Sequence, residues 1–436
     1  MRRLSIAVLA AGLLACASAS GADAQVLPSG DASEEALLRA ELQRIIDEEP
    51  AQADAARKAL DSLNQPAAGK AGRQMRNRRL LGARRIVNGL STQGYPAVGA
   101  LLNGADPRTA TFQCTGTLVG CDKFLTAAHC IEGQPEGPYQ VFLQDAGFVA
   151  VKEVLWRKDE YNFPYFDLAM LTLERPVEGI APMPINTSVK PLNKSPATIV
   201  GFGRTGGARY DYGIKREGSV RTAACPASHA NWKVLCWAFD ADVVSRPSRS
   251  NTCNGDSGGG VFMLDKDQQR TVDKVFGVVS GGRAANCSTN DVSYNVDVFQ
   301  FREWIEKAGE GRLTSRMCGS PNSERRDADA IKLLIKFDHT HDEWAQAIEV
   351  PAGIQTLFVS MNADDNGKGR NDFDLALFHG DPQAGSTPVC SEDGSGVFAV
   401  CSIAVPASGL WTIVVRRKKG AGNVQVTARF LERSNR

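Results

Sequence analysis

The stretch Asn254-Gly255-Asp256-Ser257-Gly258-Gly259-Gly260 is the most informative part of the chain. Its glycines permit backbone conformations closed to residues that carry a Cβ, and they frame one hydroxyl, Ser257. A glycine-rich turn alone is common. Two segments upstream change its meaning. Thr126-Ala127-Ala128-His129-Cys130 sets a histidine beside a cysteine. Phe166-Asp167-Leu168-Ala169-Met170-Leu171 sets an aspartate at the head of an apolar strand. Around these motifs, residues 86 to about 309 are rich in glycine, short apolar runs and turn signals, the pattern of an all-β domain. A helix is predicted at its end, over Phe299–Lys307, with Phe301, Trp304 and Ile305 as its apolar positions.

A serine hydroxyl is a poor nucleophile at neutral pH and needs an adjacent base. A lone histidine is usually structural, and His229, His339, His341 and His379 read that way. His129 is different because both companion motifs are present, in the order His, Asp, Ser. The region from Ile86 to about Gly309 resembles the chymotrypsin/trypsin family of serine endopeptidases. The resemblance implies two antiparallel β-barrels with the active site between them. It implies His129 as general base, Asp167 as the group that orients it, and Ser257 as nucleophile. The N–H groups of Gly255 and Ser257 would form the oxyanion hole. No cofactor and no metal are implied.

The same resemblance places Asn251 at the base of the primary substrate pocket, with Ser293 as the second base residue. Ser280, Gly281 and Gly282 would form a wall that binds substrate backbone. A neutral base of Asn251 and Ser293 favours cleavage after an uncharged residue. Asp291 is close in sequence, and bringing it into the pocket would restore a basic preference. Ile86-Val87-Asn88-Gly89 resembles the family's mature N-terminus. Cleavage after Arg85 would then free the Ile86 amino group to pair with Asp256 and organise the site, making the chain a zymogen. An Arg/Lys-specific protease, or autoprocessing, would cut there, and the substrates would be proteins or peptides.

The chain has 11 cysteines, more than a reducing cytosol favours. The family pattern pairs Cys114 with Cys130, Cys225 with Cys236, and Cys253 with Cys287. Cys390 and Cys401 would close a local loop. Cys121 and Cys318 pair by elimination, which would clamp the following linker to the protease domain. The eleventh, Cys16, falls in an export signal over residues 1–24. That signal has a positive Arg2-Arg3 start, an apolar run from Ile6 to Ala15 and Ala22-Asp23-Ala24 before the cut. The apolar run is too short to span a bilayer comfortably, so no transmembrane segment is expected. A secreted or periplasmic location follows. The rival reading, with Leu13-Leu14-Ala15-Cys16 as a lipoprotein signal, anchors the chain through an acylated Cys16.

Residues 25–85 read as a pro-segment. A short helix is expected within 31–64, with a stripe of Leu37, Leu38, Leu42, Ile45 and Ile46. Lys70 to Arg85 is basic, seven of 16 residues being Lys or Arg and none acidic, as in a solvated activation stretch open to proteolysis. No stacking aromatics are interleaved there, and the chain's net charge is only +1. Both argue against a nucleic-acid partner.

Residues 310–328 read as a linker, and 329–436 as a small β-sandwich. Its strand-like runs are Ile331–Phe337, Trp344–Val350, Gln355–Asn362, Phe373–Phe378, Val397–Val405, Leu410–Arg416 and Val424–Phe430. This region resembles the bacterial pre-peptidase C-terminal domain, through Asn371-Asp372-Phe373-Asp374-Leu375-Ala376-Leu377-Phe378, the two cysteines, and Pro406-Ala407-Ser408-Gly409-Leu410-Trp411-Thr412-Ile413. The resemblance suggests secretion, targeting or substrate docking. Asp364, Asp365, Asn366, Asp372 and Asp374 form an acidic cluster. Leu375 stands where a calcium-binding EF-hand loop needs Glu, so a solvated loop is favoured over a metal site. Two alternatives to an enzyme remain at this level: a catalytically silent binding protein on a protease scaffold, and an adhesin acting through the sandwich.

Overall fold

The computed structural model describes Gln43 and most of residues 86–432. The export signal, Arg85 and the rest of the pro-segment lie outside the described residues, as do 320–329. The chain divides into two units, 1–78 and 79–436. Gln43, the described residue of the first, is helical and exposed, within the stretch predicted as helix.

In the second unit, six strands close into a barrel: Val98–Asn103, Thr111–Leu118, Lys123–Thr126, Ala169–Leu173, Gly147–Trp156 and Tyr139–Leu143, in that order around the ring. Closure leaves no free edge and lets apolar side chains fill the interior. Ala100, Leu101, Phe124, Leu125, Phe142 and Leu171 are fully buried there. The second half is a seven-stranded antiparallel sheet: Leu90–Ser91, Arg216–Arg221, Pro196–Gly201, Gly260–Asp267, Arg270–Gly282, Asp291–Asp297 and Val234–Phe239. Two barrels are expected from the sequence. The second is an open half-barrel sheet, without a continuous hydrogen-bond ring.

The predicted helix spans Val298–Ala308. Asp297 caps it, accepting from the Phe299 N–H at 3.1 Å, and Lys307 sits in its last turn, where a cation suits the helix dipole. Val298, Phe301, Ile305 and Ala308 are its buried stripe. Beyond it, residues 331–432 form two four-stranded antiparallel sheets. Alternation along the strands turns Leu375, Leu377, Ile413 and Val415 of one sheet toward Leu357, Val359, Val424 and Val426 of the other. Each predicted run is a strand, with ends shifted by a few residues; Cys390–Glu392 and Asp365–Asn366 are additional short strands.

All five expected disulfides are formed: Cys114–Cys130, Cys121–Cys318, Cys225–Cys236, Cys253–Cys287 and Cys390–Cys401. The two sheets also pack directly on the barrels. Phe398 enters a nest of Phe112, Phe142 and Phe202, with ring centroids 6.3, 4.9 and 6.4 Å away. Buried side-chain amides of Gln144, Asn362 and Gln425 hydrogen-bond one another at 2.7–3.0 Å. Two buried ion pairs cross the same boundary, Arg429–Asp145 at 2.9 Å and Arg216–Asp364 at 2.7 Å.

Those contacts correct the reading of the acidic cluster. Asp364 is buried against Arg216 and also accepts from the N–H and side-chain amide of Asn423, each at 2.8 Å. Asp374 pairs with Lys418 at 3.1 Å. Asp364 and Asp374 are thus buried with separate partners rather than gathered in a solvated loop.

Candidate active site

His129 lies in a single turn of 3₁₀ helix, Ala128–Cys130, just past the strand Lys123–Thr126. Its backbone N–H donates to Asp167 Oδ1 at 2.8 Å, and its ring Nδ1 meets Asp167 Oδ2 at 2.8 Å. The Ser280 hydroxyl donates to the same Oδ2 at 2.6 Å. Asp167 is fully buried, while the His129 side chain is one-quarter exposed. A carboxylate taken from water needs such donors. Together they fix the imidazole, with Nδ1 on the acid and Nε2 3.9 Å from Cys130 Sγ.

Ser257 lines a cleft together with the Cys114–Cys130 disulfide. His129, Gly255 and Ser257 line it together, in a volume of about 580 Å³. Thr115 pins the serine turn. Its N–H donates to the Ser257 carbonyl at 2.9 Å, and its hydroxyl donates to the Gly255 carbonyl at 2.8 Å. Gly255 has φ +91°, and a Cβ there would lie 2.7 Å from Phe112 and 2.9 Å from Tyr212. Conformation and space both demand glycine.

Asp256 points the other way, into the protein. Its carboxylate accepts from the Gly203 and Cys253 N–H groups, each at 2.9 Å. Burial pushes its pKa up to about 7, against those two hydrogen bonds and the nearby Arg216. Ile86 is fully buried among Ile199, Val220 and Trp237, and the Asn251 N–H donates to the Val87 carbonyl at 3.1 Å. The segment expected to follow the activation cut is therefore bonded to Asn251, the residue expected at the pocket base.

Around the residues expected to form the pocket base, the side chains are closely bonded. Asn251 is fully buried, and both ends of its amide are engaged. Trp237 Nε1 donates to its Oδ1 at 3.0 Å, which turns Nδ2 onto Asp291 Oδ2 at 2.6 Å. The other Asp291 oxygen accepts from the Ala284 N–H at 2.8 Å. Ser293 is tied to Thr252 and to the Gly281 carbonyl, both at 3.2 Å. A Cβ on Gly282 would lie 2.7 Å from Asp291 Oδ2, so the acid lies directly behind the pocket wall. Asp291 thus stands beside the two residues expected at the base, its carboxylate bonded to Asn251.

Several site residues carry no motif in the sequence. Phe163 packs edge-on against His129, ring centroids 5.5 Å apart, and is 45% exposed although aromatic. Phe112 and Tyr212 flank the serine turn, and Asp365, in a separate two-stranded pairing with Asp211–Tyr212, also lines the cleft. An exposed aromatic four residues before Asp167 is the one signal the sequence offered.

A six-stranded barrel beside a half-barrel sheet, with His129 on Asp167 and both His129 and Ser257 lining one cleft, has the arrangement of a chymotrypsin-type fold. The trypsin family model matches residues 86–305, just over half of the 436 residues. The chain belongs to the trypsin family. It is 30% identical over 200 residues to trypsin of Saccharopolyspora erythraea, covering 42% of this chain and 83% of that protein. It is 28% identical over 220 residues to chymotrypsin-C of Rattus norvegicus, covering 44% and 77%. It is 24% identical over 228 residues to the platelet-aggregating proteinase PA-BJ of Bothrops jararaca, covering 48% and 88%. Among the described residues, no helix is long and apolar enough to cross a membrane.

Proposed function

We propose that this chain is a secreted serine endopeptidase made as a zymogen and activated by cleavage after Arg85. The observation that carries the reading is the buried Asp167, held by three donors and gripping His129 on the rim of the cleft that holds Ser257. His129 Nε2 takes the Ser257 proton as the hydroxyl attacks the scissile carbonyl, and Asp167 stabilises the imidazolium that forms. The N–H groups of Gly255 and Ser257 hold the developing oxyanion. His129 returns the proton to the leaving amine, and water then hydrolyses the acyl-enzyme. Five disulfides fit an oxidising compartment.

Cleavage after Arg85 creates an ammonium group at Ile86. Asp256, whose carboxyl is buried and held well above the usual carboxylate range, is the anion that would gain from it. That pair couples the cut to the serine turn, since Asp256 and Ser257 are neighbours. The test is to cleave after Arg85 and treat the product with a serine-directed covalent probe beside a Ser257→Ala control. Labelling at Ser257 only after cleavage is expected. A cleaved protein that does not label defeats the reading.

For specificity we read the pocket as one that takes Arg or Lys. Asn251 and Ser293 are neutral, so the group at the base whose charge would attract a cation is the Asp291 carboxylate, each oxygen of which accepts one neutral hydrogen bond. Asp291→Asn is expected to lower kcat/KM for Arg and Lys substrates by roughly 10²-fold, the effect of removing one partner from a desolvated charge pair. Turnover of a substrate with an uncharged residue before the scissile bond should hold within severalfold. A cleavage profile of the wild-type protein without Arg/Lys preference would return the pocket to the uncharged class.

A further inference from the structure

Thr115 stands where three parts of the protease half meet. It belongs to the barrel strand Thr111–Leu118 and is fully buried. Its backbone N–H reaches the Ser257 carbonyl at 2.9 Å, and its hydroxyl donates to the Gly255 carbonyl at 2.8 Å. The same hydroxyl accepts from the Phe202 N–H at 3.0 Å. Phe202 directly follows the strand Pro196–Gly201 of the half-barrel sheet. One oxygen therefore ties the barrel, the half-barrel sheet and the serine turn together. The Thr115 carbonyl is held in turn by the hydroxyl of Thr126 at 2.8 Å, at the end of the strand that leads to His129.

Three successive N–H groups face this junction. That of Phe202 goes to the Thr115 hydroxyl, that of Gly203 to the Asp256 carboxylate, and that of Arg204 to the Asn254 carbonyl at 2.9 Å. The last bond orients the Asn254–Gly255 peptide, because carbonyl and N–H point oppositely across a planar trans amide. The following peptide, Gly255–Asp256, is oriented at its carbonyl by the Thr115 hydroxyl and at its N–H by the Cys253 carbonyl, 3.0 Å away. Gly255 lies between the two planes at φ +91°. Without a Cβ its backbone turns more freely than that of any other residue. Its N–H keeps one direction only if both flanking peptides are held from outside. A valine at 115 would keep the backbone bond to Ser257, yet deprive the Phe202 N–H and the Gly255 carbonyl of the partner they share.

We propose that the Thr115 hydroxyl is a positioning group for the oxyanion hole. By holding the Gly255 carbonyl, it keeps the Gly255 N–H aimed at the oxygen that becomes charged as Ser257 attacks. The proposal rests on the reading of Ser257 as nucleophile and deepens it with a residue outside the His, Asp and Ser motifs.

The test uses the full chain cleaved after Arg85, as wild type and as Thr115→Val, Thr115→Ala and Thr115→Ser. Val and Ala are expected to lower kcat roughly 10- to 100-fold with KM changed by less than about twofold, part of the loss that follows outright removal of an oxyanion donor. Ser keeps the hydroxyl and should recover most of that loss. A peptide aldehyde reads the same contact without turnover. The Ser257 oxygen bonds to the aldehyde carbon, the serine proton passes to His129, and the aldehyde oxygen becomes the oxyanion. Its affinity should fall in Val and Ala by the same factor as kcat/KM. Binding of an intact peptide to Ser257→Ala should change by less than about twofold when Thr115→Val is added, because no oxyanion forms there. Urea unfolding identifies the folded variants, and Ala carries the comparison if Val does not fold. A folded Val or Ala variant with wild-type kcat, a loss that falls on KM, or a Ser variant as slow as Val overturns the proposal. A wild type that neither turns peptides over nor labels at Ser257 defeats the nucleophile reading, and this proposal with it.

Discussion

Alanine at Ser257, at His129, or at both together is expected to lower kcat by about the same amount, roughly 10⁶-fold. The two residues are parts of one device. Without His129 the Ser257 hydroxyl stays protonated and is a weak nucleophile; without Ser257 the base has nothing to activate. The second substitution therefore has little left to remove. Asp167→Asn should cost less, about 10⁴-fold. The carboxamide oxygen can still accept from the His129 N–H, and its NH2 group, in place of Oδ2, can donate to the Ser280 hydroxyl, so the loop geometry survives. What is lost is the anion at Nδ1, and with it the correct tautomer and the stabilised imidazolium. Residual catalysis by all variants should stay above the uncatalysed rate, supplied by the oxyanion donors and substrate binding. Single-turnover kinetics on active-site-titrated protein would measure this. Additive losses in the Ser257/His129 double variant would show that the two act independently.

How much of this was readable in the sequence depends on the distance over which each feature is decided. The serine turn, the histidine segment and the aspartate strand are local motifs, and the structure assembles them at one cleft. The helix Val298–Ala308 was legible from its 3.6-residue apolar spacing, and the sandwich strands from alternation between turn signals. The second barrel was legible as strands but not as an open half-barrel, because ring closure depends on pairing across long separations. Asp291 was placed beside the pocket base only by the fold. It starts a strand, and a one-residue change of register would turn its carboxylate to the opposite face. Asp364 was misread as solvated for a related reason. A carboxylate in a polar loop usually is solvated, and its partner Arg216 lies 148 residues away. Phe163 had no motif because an aromatic wall needs only shape.

Asp364→Ala is expected to destabilise the protein by about 3–5 kcal/mol, the usual result of leaving one member of a buried ion pair behind. Arg216 is fully buried, and its guanidinium donates to the Gly203, Asp211 and Ile214 carbonyls at 2.9–3.2 Å as well as to Asp364 at 2.7 Å. Those carbonyls neutralise no charge; Asp364 does. Removing the carboxylate also strips Asn423 of the acceptor for its N–H and its side-chain amide. Gly203 links this cluster to the site, since its carbonyl holds Arg216 while its N–H holds Asp256, the neighbour of Ser257. Loss of Asp364 should therefore lower kcat/KM even at temperatures where the variant is folded. Replacing both charges by apolar residues of similar size, Arg216→Met with Asp364→Leu, should restore much of the stability, because the desolvation cost of the pair disappears with it. Activity should recover less, because methionine makes no hydrogen bond to the Gly203 carbonyl. Urea unfolding and steady-state kinetics on the three proteins separate the two effects. A stability loss below about 1 kcal/mol for Asp364→Ala, the range of an exposed pair, would mean that Arg216 is solvated in solution and that the sandwich is not locked to the protease through this contact.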